Sequence, residues 1–439
     1  MKMYRIVFAL ATLLLCPVTK VLQAETPHVL LISIDGMKPE YVTQAAQHGL
    51  HLPTLERFLR EGTYADGVAG VVPTYTYPSH TTLITGVWPA EHGIYNNSIF
   101  DPMKEHPGEW NAYFDAIKVK TLYQAVDEAG MKTAAVGWPV TVGAPIDYLI
   151  AEYARSEAIE SPRGHIVHPA DLYSSIHVTL PAGITYDEKK TLWTIGIIDT
   201  FDPNLVMLHL SDLDSAEHRK GPFTPEANKA LEVIDEEVNR VMQAEWKKHP
   251  KAKVVIVSDH GFVKIEHSVP VNRYLANAGL IKLTDGPKPD IASWDAYAWE
   301  AGGTAAIMLK NSHDKTLLER TAAVLNKLAS DPANGIERVI GPSEIAAYGG
   351  FPDASFLLDF KPGWTAAGGF NADRQGRHFG GNHGYLPGHP ELRASFMAMG
   401  HGIAKHRDLG IIDMRQVAPT LAKMLGVKLP RAKQKPVQY

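Results

Sequence analysis

HVLLISID, residues 28–35, is a nearly continuous apolar run that ends in an acid and is followed by Gly36. A strand with one wet face would alternate apolar and polar residues. This run does not, so both of its faces are expected to be buried, as in a parallel strand feeding a loop. Two further runs share the form. LVMLHL (205–210) precedes Asp212 and Asp214, and KVVIVSD (253–259) ends in Asp259, followed by His260 and Gly261. Helical patterns lie between them at 52–61, 121–129 and 225–247. Strands alternating with helices predict an α/β fold: a doubly wound, largely parallel sheet sandwiched by helices. Ligands of such sheets sit at the carboxyl ends of the strands, and here three strand ends carry carboxylates.

Residues 266–378 differ in texture. They are rich in Gly, Pro, Ala and Trp and hold one helical pattern, at 315–330. They read as an inserted cap between a first part of the core (25–265) and a C-terminal part (379–439). In that last part SFMAMG (395–400) reads as a strand and 414–425 as a helix. Internal repeats and low-complexity segments are absent from the sequence.

The 439 residues, 45% apolar and 21% charged, fit a folded globular protein with a large core. The opening, MKMYRIVFALATLLLCPVTKVLQA, has a basic start (Lys2, Arg5), an apolar run from Ile6 to Cys16 and a small Ala24. It reads as a secretory signal peptide (1–24) cleaved near Ala24, which implies a periplasmic or secreted protein. The apolar run is too short to cross a core of about 30 Å, so no membrane span is expected in the mature chain. Acylation at Cys16 is the weaker alternative, because Pro17 follows it. Cleavage removes Lys2, Arg5 and Lys20 and no acid, taking the net charge from −5 to −8. That balance argues against binding a nucleic-acid backbone. Cleavage also removes the single cysteine, so thiolates are excluded as nucleophile or metal ligand.

Six side chains stand out. Asp35 ends the first strand, Asp214 and His218 stand four apart in DSAEH, Asp259 and His260 are adjacent, and His383 sits in GGNHGY. Singly, Asp35 could cap a helix, Asp214 and His218 could be a surface pair, and His383 is one of 20 histidines. Together they form a mixed Asp/His set that suits zinc, large enough for two ions. The i,i+4 spacing lets Asp214 and His218 face one ion. Adjacent Asp259 and His260 can do so only from a loop.

The hydroxyl-rich stretch PTYTYPSHTTLITG (73–86) is either a solvated turn before an ordinary helix or a nucleophile held at a helix start. Pro78 favours a first turn, which predicts a helix over 79–85 that stops at Gly86. Thr76 then lies at its amino end, where free N–H groups and the helix dipole attract phosphate. A metal ion activates such a hydroxyl, so ligands and threonine belong to one mechanism.

These residues resemble the nucleotide pyrophosphatase/phosphodiesterase family of the alkaline phosphatase superfamily. The matching pieces are ISIDG, the threonine of Thr76-Tyr77-Pro78, TGVWPAEHGIYNN, DSAEH, SDHG and HGY around His383. Glu217 stands where the family motif usually has glycine. The resemblance implies two zinc ions, one on Asp35, Thr76, Asp259 and His260, the other on Asp214, His218 and His383. It implies that Thr76 attacks phosphorus in line, with Asn97 and the backbone N–H of Tyr77 donating to the phosphoryl oxygens, and that the Tyr77 ring meets a nucleobase. Basic side chains near Thr76 are not apparent, and Gly137-Trp138-Pro139 resembles the diesterase branch, so small phosphodiester or pyrophosphate substrates of nucleotide type are expected. A phosphomonoesterase or phosphonate hydrolase with the same metal core is the alternative; TYPSH lacks the arginine of a sulfatase. Specificity is expected in the cap, at Trp294, Tyr297, Trp299 and Arg374. Asn96-Asn97-Ser98 matches a glycosylation acceptor but falls at the expected site. Oligomeric state is not legible.

Overall fold

The computed structural model describes residues 26–153, 158–286, 289–370 and 380–439. The expected leader (1–24), Arg374 and the expected cap–core boundary near 378 lie outside them. At the centre is a nine-stranded sheet in the order Arg407–Asp408, Thr63–Tyr64, Phe396–Gly400, Lys253–Val257, Val29–Ile34, Leu205–Leu210, Thr133–Val136, Tyr148–Ile150, Val167–His168. The five strands from Lys253–Val257 through Tyr148–Ile150 are mutually parallel. Phe396–Gly400 and Val167–His168 flank them antiparallel.

Every residue of Val29–Ile34 and of Leu205–Leu210 is buried, which the unbroken apolar runs required. Two groups of helices supply the cover. Tyr186–Phe201 and Pro225–Lys248 pack on each other and on the sheet, as do Thr76–Thr85, Leu122–Glu128 and Val417–Leu425. Caps fix several starts: Thr224 accepts from the Ala227 N–H ahead of Pro225, and Thr121 and Gln124 close a reciprocal capping box.

Three differences from the sequence reading have physical causes. The helix expected over 79–85 begins at Thr76, because Tyr75 is already extended and Pro78 fits the first turn. Residues 414–416 form a 3-10 turn ahead of the last helix. The region read as a cap with one helix carries, besides Lys315–Ser330, a four-stranded antiparallel sheet ordered Ala296–Ala301, Thr304–Leu309, Phe356–Phe360, Ile336–Ile340. It encloses its own core around Ile307, Leu325, Leu358 and Phe360. Two of these strands, AYAWEA and TAAIML, are built largely on alanine, a weak strand former, and pairing, not propensity, makes them regular. Among the described residues no helix is long and apolar enough to cross a membrane.

Candidate active site

The parallel register ends Val29–Ile34, Leu205–Leu210 and Lys253–Val257 at one edge of the sheet, and the side chains singled out in the sequence gather there. Asp35 follows the first strand. The chain then turns at Gly36 (φ +76°), where a Cβ would lie 2.6 Å from Glu217 Oε2, so a side chain is barred twice. Asp259 and His260 lie in the loop after Lys253–Val257. Asp214 and His218 share one face of the helix Asp212–Lys220, which follows Leu205–Leu210. The short pairing of Val263–Ile265 with Gly380–Asn382 brings His383 back beside His260.

The six form two triads. In the first, His260 Nε2 lies 3.3 Å from Asp35 Oδ1 and 3.1 Å from Asp259 Oδ2. In the second, Asp214 Oδ1 lies 3.3 Å from His218 Nε2 and 3.8 Å from His383 Nε2. Asp35 caps no helix, and the Asp214–His218 contact is no mere surface pair, since buried His383 completes it.

The donor set fits metal ions. Asp35 Oδ1, Asp259 Oδ2 and Asp214 Oδ1, the oxygens that face the imidazoles, are buried without a hydrogen-bond partner. Such atoms are costly unless a cation meets them. The three imidazoles are oriented alike: Nδ1 of His260, His218 and His383 lies 3.1–3.2 Å from the carbonyls of Gly261, Gly381 and Thr74. An Nδ1–H donating to a carbonyl leaves Nε2 as the ligand atom. Electrostatics agree. Burial and the neighbouring Asp35 and Asp259 push the Asp214 carboxyl far above the carboxylate range. Burial and two adjacent imidazoles hold His383 neutral. Burial would also lower His260, but Asp259, Asp35 and Asp214 outweigh it and raise it to about 9. The ring thus holds a proton at a position for which a divalent cation competes.

Thr76 opens the helix Thr76–Thr85, all ten residues of which are buried. A buried helix rich in hydroxyls survives because Thr81, Thr82 and Thr85 donate to the carbonyls of Tyr77, Val87 and Thr81. The Thr76 hydroxyl instead faces His260 Nε2 at 3.4 Å. A cavity of about 580 Å³ opens over it, lined by Asp35, Asn97, Asp214, His218 and His383 among others.

Asn97 Oδ1 accepts from the Tyr77 N–H at 2.8 Å. This corrects one expectation: that N–H is engaged within the protein and is not a free donor. It also assigns the amide, because a backbone donor requires the oxygen, and the Nδ2 end is left for a ligand. Asn96 is buried and donates to the Glu300 carbonyl at 2.8 Å, a poor position for a glycan.

Among the described residues, none of 266–378 lines the cavity. Trp294, Tyr297 and Trp299 close around Phe100, at 5.4–5.9 Å between ring centroids, and are absent from the lining. Tyr77, Trp110, Tyr113, Tyr153 and Tyr186 form its aromatic side. The segment that carries Asn97 and Trp110 is tied to the second sheet region by Phe100, by Asn96 and by a Lys104–Asp290 ion pair of 2.7 Å. Lys190 also lines the cavity, the only lysine or arginine among its described lining residues. The sequence reading found no such base, but Asp187 at 2.6 Å neutralises it. Sequence reasoning missed Glu152 and His209 as well; a histidine inside LVMLHL signals nothing until its partners are placed.

The family model for type I phosphodiesterase / nucleotide pyrophosphatase matches residues 29–386. The chain belongs to this family. It is 26% identical to human ectonucleotide pyrophosphatase/phosphodiesterase family member 1 over 279 residues, 60% of this chain and 27% of that protein. It is 21% identical to the venom phosphodiesterase of Macrovipera lebetinus over 425 residues, 92% of this chain and 44% of that one. The chain thus spans about a quarter of the length of the first curated relatives it matches. Among solved structures, an inactive variant of murine ectonucleotide pyrophosphatase/phosphodiesterase 5 in complex with AMP superposes with a TM-score of 0.65 at 20% identity, covering 92% of this chain and 96% of that one. That likeness bears on the fold, which is the family's mixed α/β architecture around a large sheet.

Proposed function

We propose that this chain is an exported two-zinc hydrolase that cleaves phosphodiester or pyrophosphate bonds of nucleotide-type substrates through a phospho-threonine at Thr76. The observation that carries the reading is the meeting at one cavity of two Asp/His triads, with their three orphaned carboxylate oxygens, and a threonine hydroxyl at a helix start that faces His260 of the first triad. Family membership supports the reaction class.

Zinc held by Asp35, Asp259, His260 and Thr76, and by Asp214, His218 and His383, supplies positive charge that lowers the hydroxyl pKa and stabilises developing negative charge. Thr76 Oγ1 forms a bond to phosphorus as the bond to the leaving oxygen breaks. Water then hydrolyses the phospho-threonine and restores the hydroxyl. Asn97, its oxygen fixed on the Tyr77 N–H, presents Nδ2 to a non-bridging oxygen. The helix start adds its dipole to the same anion. Tyr77 and Trp110, edge to face at 5.4 Å, offer a surface for a base.

A monoesterase would need an extra cation for the additional phosphate charge. Lys190 is the available candidate, and its pairing with Asp187 favours the diester. Export rests on the leader at 1–24, and the division into core and inserted cap on a second hydrophobic cluster, most of whose residues fall within 266–378 and which also takes in Val263, Ile265, Tyr385 and Leu392.

Turnover of a p-nitrophenyl nucleotide diester and of p-nitrophenyl phosphate, with zinc measured on the same sample, tests the proposal. Two zinc ions per chain and faster diester cleavage are expected. Faster monoester turnover would reverse the substrate class. Undiminished hydrolysis by Thr76→Ala would remove the nucleophile assignment.

A further inference from the structure

His209 has no part in the two triads, yet it is 1% exposed and sits directly against one of them. It pairs with Ser33 across the Leu205–Leu210 and Val29–Ile34 strands. Paired residues point to one face of a sheet, as do residues two apart along a strand. The ring therefore stands on the side towards which Asp35, two residues after Ser33, projects. Its Nε2 lies 3.0 Å from Asp35 Oδ2. Its Nδ1 lies 2.8 Å from Glu152 Oε2 and 3.0 Å from the Gly137 carbonyl. The second Glu152 oxygen accepts from the Tyr77 hydroxyl at 3.3 Å, and Glu152 lines the substrate cavity.

The Asp35 and Glu152 carboxylates and the Gly137 carbonyl are all acceptors, so both ring nitrogens are placed to donate and neither faces a metal with a free lone pair. The Asp35 oxygens are thereby separated. Oδ2 is taken by His209, while Oδ1 is left without a partner, 3.3 Å from His260 Nε2. A carboxylate without such a restraint rotates about its terminal bond and presents either oxygen.

We propose that His209, anchored by Glu152, is a positioning residue that holds Asp35 Oδ2 and so aims Oδ1 at the ion of the first triad. The inference rests on the reading of Asp35, Asp259 and His260 as zinc ligands. It places one hydrogen-bonded chain, Tyr77–Glu152–His209–Asp35, between the cavity wall and the metal. Outer partners of ligating carboxylates are commonly worth 10–100-fold in metal affinity, and they act on one site only.

Zinc titration of the full chain against a competing chelator tests this, comparing wild type, His209→Gln, Glu152→Gln and Asp259→Asn. Asp259→Asn identifies which of two binding steps belongs to the first triad. His209→Gln is expected to weaken that step by about 10–100-fold and to leave the other unchanged, with kcat falling more than KM rises. Glu152→Gln keeps an acceptor for Nδ1–H but removes the charge, and should weaken the same step by a smaller factor. If His209→Gln folds poorly, with a lowered metal-free Tm, Glu152→Gln at the cavity wall carries the test alone. Wild-type protein with two tight sites, one lost in Asp259→Asn but both kept in His209→Gln and Glu152→Gln, would overturn the positioning role and leave the metal reading intact. Equal weakening of both steps would also overturn it. Wild-type protein that binds no zinc would overturn both.

Discussion

The imidazoles of His260 and His383 lie face to face, 3.5 Å between centroids and 11° from parallel, although each belongs to a different triad. Two like-charged rings would repel at that distance. The stack is sustained because His383 is kept neutral by burial and by its His260 and His218 neighbours. The triads are thus packed against each other through one pair of rings.

Metal removal should consequently destabilise the whole chain. Asp35 and Asp259 are buried and Asp214 is partly buried, so crowding these carboxyl groups together is costly once cations leave. Chelation is expected to lower Tm by several degrees and zinc to restore it. A ligand at about 1,000 times its dissociation constant adds roughly 4 kcal/mol per site. Calorimetry with and without chelator measures this, and an unchanged Tm would count against the metal reading.

Asn97→Asp separates the two ends of the Asn97 side chain. An aspartate still accepts from the Tyr77 N–H, so the fold and Tm should hold. The donor to substrate is replaced by a negative charge, and kcat should fall by about 10²–10³-fold, the usual effect of losing one such donor. Steady-state kinetics beside a melting curve decide the outcome.

Trp110 is 49% exposed at the cavity wall. If a base rests against it, Trp110→Ala should raise KM for a nucleotide diester by about fivefold or more, since a stacked base is worth about 1–3 kcal/mol. KM for bis-p-nitrophenyl phosphate, which has no base, should stay nearly constant. Parallel shifts for both substrates would remove the base-binding role.

Acid stability should depend on His92. Burial depresses this imidazole to about 3, while the unfolded chain protonates near 6.5. A depressed base binds fewer protons when folded, so its contribution is full above 6.5 and is lost as pH falls towards 3. The slope is about 1.4 kcal/mol per pH unit for one proton. The Ile94 N–H donates to Nδ1 at 3.1 Å, and Nε2 meets the Thr82 hydroxyl at 3.1 Å, so protonation would disturb the helix that bears Thr76. His92→Gln should flatten the fall in denaturation midpoint between pH 6 and 4.5. A slope identical to wild type would exclude it.

The strands VLLISI, LVMLHL and KVVIV were legible because burial on both faces writes itself into consecutive apolar residues. The acids at their ends were legible because parallel sheets place ligands there. Thr133–Val136 and Tyr148–Ile150 are short and escaped notice, although they belong to the same sheet. The Tyr186–Phe201 helix, broken in pattern by Thr and Gly, was likewise hidden.

His209 was unreadable for a different reason. Its meaning depends on Asp35 and Glu152, which lie 174 and 57 residues away in sequence. The aromatic residues of the second sheet region misled in the opposite direction. Trp294, Tyr297 and Trp299 look like a binding surface in sequence, but Phe100 occupies them.

That occupation has a consequence for how the proposed selectivity of this chain can drift. The segment from Asn96 to Trp110 is moored to Glu300, Asp290 and the tryptophans around Phe100, and it carries both the amide proposed to meet phosphate and the indole at the cavity mouth. A lineage that changed only these moorings would shift both recognition groups together. It would acquire new preferences while every residue that touches the substrate stayed the same.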